Sequence, residues 1–116
     1  MEGLPDDVAA VEAKGKITAK DYDETLVPLL EKKLKEHKKL KMLFYAGPDF
    51  EGYSAGAMWD DAKFGITHLT DFAKIAIITD VEWVRQGTKL FAPLFPAKVR
   101  LFSNKELKDG KAWIST

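Results

Sequence analysis

Two almost uninterrupted apolar runs constrain this chain more than anything else in it: Leu40-Lys41-Met42-Leu43-Phe44-Tyr45-Ala46 and Phe72-Ala73-Lys74-Ile75-Ala76-Ile77-Ile78-Thr79. Runs of this kind suit strands covered on both faces, which places the first of them in the interior of a sheet. Between them the period turns helical, with Ala55, Met58, Trp59, Ala62 and Ile66 on one face. Strand and helix alternating in this way predict an α/β fold.

The flanking segments extend the alternation. Val8 to Lys14 reads as a strand with Ala9, Val11 and Ala13 on one side, closed by Gly15. Thr18-Ala19-Lys20-Asp21 is a capping-box sequence, and Ile17 and Tyr22 flank it as a hydrophobic staple. The helix that follows carries Tyr22, Leu26, Leu29, Leu30 and Leu34 on one side, with a kink or break expected at Pro28. After the second apolar run, Asp80 stands where it would cap the next helix. That helix presents Trp83, Val84, Gly87, Leu90 and Phe91 as a broad apolar face and ends at Pro93 and Pro96. Ala97 to Phe102 gives a last short strand, and Ser103-Asn104-Lys105-Glu106 repeats the capping-box spacing ahead of a terminal helix with Leu107, Trp113 and Ile114. Gly110 costs that helix about 1 kcal/mol relative to alanine, so it is expected to be the most mobile of four.

A chain of 116 residues, 46% of them apolar, encloses one core, so residues 1–116 are expected to form a single domain. Eighteen basic and eighteen acidic residues cancel and leave no global field to draw the protein onto nucleic acid. With no cysteine there are no disulfides or thiolate metal sites. Neither a spanning apolar run nor a leader pattern is present, and a cytoplasmic protein is the expectation.

Ala46 to Gly56 reads as a glycine-rich, aromatic loop at the carboxyl end of a strand, where ligands of open α/β sheets usually bind. Its Gly52-Tyr53-Ser54-Ala55-Gly56 matches the nucleophile-elbow pattern, but several residues separate Ser54 from the strand end. A triad of Ser54, Asp61 and His68 would require residues along one rigid helix to converge on a point. The better reading of Ser54 is a helix cap, and no enzymatic activity is expected. His37 sits among lysines near a helix end and His68 near another, without metal-ligand spacing, so neither a metal nor any other cofactor is expected. The lysines from Lys32 to Lys41 lack the interleaved aromatics of a single-strand nucleic-acid site. Trp83, Val84, Leu90, Phe91, Leu94 and Phe95 exceed what one short helix commonly buries, leaving apolar area for a partner, a lipid chain or a second subunit.

Gly15-Lys16-Ile17-Thr18 with Asp21-Tyr22, Asp49-Phe50-Glu51-Gly52-Tyr53, Trp59-Asp60-Asp61 with Lys63-Phe64-Gly65, Asp80 with Trp83, and Phe91-Ala92-Pro93-Leu94 together span nearly the whole chain. In their order and spacing the chain resembles the SpoIIAA-like family of the STAS superfamily, a group of small bacterial proteins. The resemblance implies a βα superhelix around a mixed four- to five-stranded sheet with about four helices, related in outline to lipid-carrying CRAL-TRIO domains. It implies no reaction. STAS antagonists of anti-sigma factors carry a phosphorylatable serine in an Asp-Ser-Ser-Gly-like turn, which this chain lacks. Members often have a strand ahead of the Leu4-Pro5 position, and here that edge strand is expected to be short or missing.

Two functions follow as expectations. The first is a non-enzymatic module for an apolar or amphiphilic ligand or a membrane surface, making the protein a peripheral membrane one. Here Phe50, Tyr53, Trp59, Phe64 and Trp83 line or gate a cavity, with Phe91 on the same helix as Trp83, and Asp49 and Asp80 orient a polar head. The second is a STAS-type interaction domain, for a protein partner or a homodimer, using a flat patch from Tyr53 to Phe64.

Overall fold

The computed structural model describes residues 4–57, 70–94 and 96–116 and, at Phe91, the backbone alone. The chain runs β1 (Val8–Ile17), α1 (Ala19–Asp21), a π-helical turn (Tyr22–Leu26) and α2 (Val27–Glu36), then β2 (Leu40–Tyr53) and β3 (Phe72–Thr79). It continues through α3 (Glu82–Phe91), a 3-10 turn (Ala92–Leu94), β4 (Lys98–Phe102), a second 3-10 turn (Asn104–Glu106) and α4 (Leu107–Ile114).

The four strands form one sheet in the order β1-β2-β3-β4, and every pairing is parallel. Among the described residues the sheet is therefore parallel rather than mixed. Among the described residues no strand precedes Val8. The two apolar runs lie in the interior strands β2 and β3, as their continuity requires. Val8, Leu43, Ala76, Ile78 and Phe102 meet Ile114 of α4 on one face of the sheet. On the other, Ala9, Leu40 and Phe72 pack with Leu30 of α2, and Ala13, Phe44, Ala46 and Phe50 pack with Val84 of α3.

Local chemistry fixes the helix starts. Thr18 N–H donates to Asp21 Oδ2 at 2.8 Å, and Asp21 N–H donates to Thr18 Oγ1 at 3.3 Å, closing the first capping box. Ser103 and Glu106 close the second, and hydrogen bonding from the Ser103 N–H and then from its side chain holds the Glu106 carboxyl below the ordinary carboxylate value. Pro28 does not break its helix. The helix widens into the π-turn just ahead of it, with Val27 N–H donating to the Tyr22 carbonyl, and then continues as α2. A widened turn at the residue that lacks a donor is how a helix absorbs an interior proline.

Three expectations change. Gly15 does not close β1: at φ +64° it forms an irregularity through which β1 runs on to Ile17. Most of the stretch from Ala46 to Gly56 is strand rather than loop. Ala13 pairs with Ala46 and Gly15 with Phe50, so residues 47–49 stand opposite Lys14 alone, two more than a regular ladder holds, and Pro48 falls where no ladder donor is needed. Lys16 then pairs with Gly52 and Ile17 with Tyr53. Gly110 is a contact point of α4 rather than its weakness. It is buried against β3, where an added Cβ would stand 2.6 Å from Ile78 Cδ1, so glycine allows the helix to sit close to the sheet.

Candidate functional site

β3 ends at Thr79 opposite Ala46, so β1 and β2 continue beyond it as a two-stranded ribbon. The ribbon's helix-side face and the start of α3 bring five rings together. Tyr53 is the hub, with ring centroids 5.4 Å from Phe50, 5.9 Å from Trp83, 6.3 Å from Tyr22 and 6.4 Å from Phe44. Phe50 also meets Trp83 at 6.0 Å. These separations lie in the range of favourable aromatic pairs, and the edge-on contacts of Tyr53 with Phe50 and Trp83 align ring edge with ring face. Tyr22, Phe44 and Phe50 are buried, whereas Trp83 remains 50% exposed.

The described rings of the expected site thus pack on one another. Beside them an open groove of about 270 Å³ runs along the outer edge of β1, walled by Val11, Ala13, Ile17, Tyr22, Leu26 and Phe44. Asp49 is exposed on the ribbon. Asp80 does not cap α3, whose N-cap is Val81 without a side-chain bond. Its Oδ1 instead accepts from Asn104 N–H at 3.0 Å, at the start of the last helical segment, while Thr79 Oγ1 accepts from Val81 N–H at 3.1 Å. Trp59 and Phe64 lie outside the described residues, and so does the side chain of Phe91.

α3 divides its apolar residues between two sides. Val84 points into the core. Positions 83, 87 and 90 recur at helical spacing on another side, where Trp83 is 50% and Leu90 71% exposed, and Leu94 in the 3-10 turn that follows is 66% exposed. Gly87, between them, has open space where a side chain would stand. Arg85 explains this orientation: its Nη1 donates to the carbonyls of Thr79 (2.9 Å) and Phe102 (3.1 Å), tying α3 to the carboxyl ends of β3 and β4. Sequence reasoning missed Arg85. The available signal was a cation four residues after the end of the turn following a strand, one helical turn into α3.

The remaining candidates are occupied structurally. Ser54 Oγ accepts from Ala57 N–H at 3.1 Å and so caps the helical residues 55–57, as expected. Asp61 and His68 fall outside the described residues. His37 Nε2 lies 2.8 Å from Asp6 Oδ2, and this hydrogen bond, with the charge of Lys33, holds the Asp6 carboxyl below its ordinary value. Asp6, Glu36 and His37 bring ligand atoms within 4.8 Å of one another, but Lys33 Nζ stands 3.9 Å from Asp6 and supplies the compensating charge itself. Among the described residues no helix is long and apolar enough to cross a membrane.

Comparison with known proteins agrees with this architecture. No curated protein matches the chain. A crystal structure of an uncharacterized DUF3478-family protein with a SpoIIAA-like fold, from Shewanella loihica PV-4, superposes with a TM-score of 0.75 at 30% identity. The match covers 90% of this chain and 82% of that one. The profile of the SpoIIAA-like family matches residues 8–115, so the chain, with its parallel sheet flanked by helices, belongs to the SpoIIAA-like family.

Proposed function

We propose that this protein is a non-enzymatic binding module that rests on a lipid surface through the outward side of α3. The reading is carried by one observation: Trp83 and Leu90 of α3, and Leu94 of the 3-10 turn that follows it, are all at least half exposed. A tryptophan that leaves half its surface in contact with other rings and half in solvent is suited to the headgroup level, with the leucines reaching further in. The area supports lipid over a protein partner. Three such side chains expose on the order of 300–400 Å², the size of a functional patch on a monomer, whereas a standard protein interface covers about 800 Å² on each side. A bilayer needs no matching shape, so a small ridge is enough for it.

Co-sedimentation with vesicles of an equal mixture of phosphatidylcholine and phosphatidylglycerol tests the reading. The protein is expected to pellet with the vesicles, Leu90→Ser with Leu94→Ser to abolish this, Trp83→Ala to weaken it, and Ser54→Ala to leave it intact. Equal binding by all variants, or by none, contradicts the proposal. An expected protein partner would show instead as a complex that forms without lipid and is lost with the same leucines.

A further inference from the structure

The chain is neutral as a whole, but its charge is not evenly placed. In a parallel sheet each crossover helix returns toward the strand starts, so α2 and α3 both end at the amino end of the sheet. That end holds the loop before β2, with exposed Lys38 and Lys39, and the last turn of α2, with exposed Lys35 and, just before it, exposed Lys32. It also holds the exit of α3, where Leu90, Leu94, Lys89 and Lys98 are exposed. Two strand spacings, about 10 Å, separate the start of β2 from the start of β4. Leu40 and Ala97, one residue from Lys39 and from Lys98, belong to the same core cluster.

The acids of this end are partly spent. Asp6 is engaged by Lys33 and His37, and Asp7 lies 3.8 Å from Lys41. Glu31 and Glu36 remain on α2, and Asp71 stands beside the start of β2, where its carbonyl accepts from Leu40 N–H. At the opposite end exposed Asp21, Asp49, Glu51, Asp80, Glu82 and Glu106 outnumber exposed Lys16, Lys20 and Lys105, with Lys14 paired to Glu12, so the molecule is polarised along its strands. A basic rim beside two exposed leucines matches one kind of surface, apolar beneath and negative at its face.

Resting on the lipid reading above, we infer that the bilayer this protein contacts is an anionic one, met by the amino end of the sheet with Leu90 and Leu94 inserted and the lysines at the phosphate level. The carboxyl end, with Trp83, then lies shallower than Leu90 and Leu94, which fixes the tilt of the bound molecule. Each lysine near a negative bilayer is worth about fivefold in affinity, and the attraction decays over a Debye length of about 10 Å at 0.1 M salt.

The test is vesicle co-sedimentation of the full chain with phosphatidylcholine alone and with an equal mixture of phosphatidylcholine and phosphatidylglycerol. Binding to the mixture is expected to exceed binding to phosphatidylcholine by at least about tenfold and to fall as salt rises. Lys38→Gln with Lys39→Gln is expected to weaken it about tenfold or more. Lys14→Gln with Lys16→Gln, the same charge change at the carboxyl end, is expected to alter it by less than about twofold. Equal binding to both vesicles overturns the anionic inference while sparing the lipid reading. Equal loss from the two lysine pairs overturns the orientation, and failure to bind either vesicle overturns both readings.

Discussion

α2 and α3 perform the same task in the chain, returning it from the carboxyl end of one parallel strand to the amino end of the next, yet they are held in opposite ways. α2 is held by burial: Leu30 is 1% exposed, Leu26 and Leu34 pack beside it, and the lysines face out. α3 is held by hydrogen bonds from Arg85 to two strand ends and by Val84, and turns Trp83 and Leu90 outward, with Leu94 exposed in the 3-10 turn that follows. An amphipathic period identifies a helix and its apolar stripe. It does not say that the stripe faces the protein, because a polar anchor can win the inward side.

The contrast can be broken most forcefully at the leucines. Leu30→Ala should lower stability by about 3 kcal/mol, the cost of lost burial plus a cavity, while Leu90→Ala should stay within about 0.5 kcal/mol. Urea denaturation of both variants measures this, and similar losses would mean that α3 is packed like α2. The next effect compares glycines. Gly110→Ala forces a methyl to within 2.6 Å of Ile78 and should cost about 2 kcal/mol, whereas Gly87→Ala enters open space in an exposed helix and should add about 0.5–1 kcal/mol. Thermal unfolding separates the two by sign.

The smallest effect lies in the acid limb. Asp6 at the end of α2 has its folded pKa lowered, first by the hydrogen bond from His37 and then by Lys33. A depressed carboxylate contributes stability that is full above its unfolded pKa and is lost as pH falls through the lower folded one. Asp6→Asn should therefore flatten the stability profile below the ordinary carboxylate range and leave its slope near neutrality unchanged, as urea midpoints across pH would record. An unchanged acid limb would mean that this exposed pair contributes nothing.

What the sequence made legible follows the strength of the local signal. Continuous apolar runs marked β2 and β3, and both capping boxes lie where their spacing placed them. The ribbon from Gly47 to Tyr53 was illegible because Gly47, Pro48 and Gly52 are turn residues by propensity, and only the pairing of Phe50, Gly52 and Tyr53 with Gly15, Lys16 and Ile17 carries the strand through them. Gly110 read as a helix weakness because its benefit, close approach to Ile78, is a tertiary contact. At the site, Phe50, Tyr53 and Trp83 were correctly brought into one neighbourhood, but their mutual packing and the outward turn of α3 depend on Arg85, whose partners lie in two other elements.

The emission of Trp83 tests the account most directly, measured in a protein whose other tryptophans are replaced by Trp59→Phe and Trp113→Phe. Added phosphatidylcholine and phosphatidylglycerol vesicles should shift that emission to shorter wavelength and shield it from an aqueous quencher, as its half-exposed indole enters the headgroup layer. Emission and quenching unchanged at saturating lipid would contradict the account, since the exposed side of α3 would then have met no bilayer.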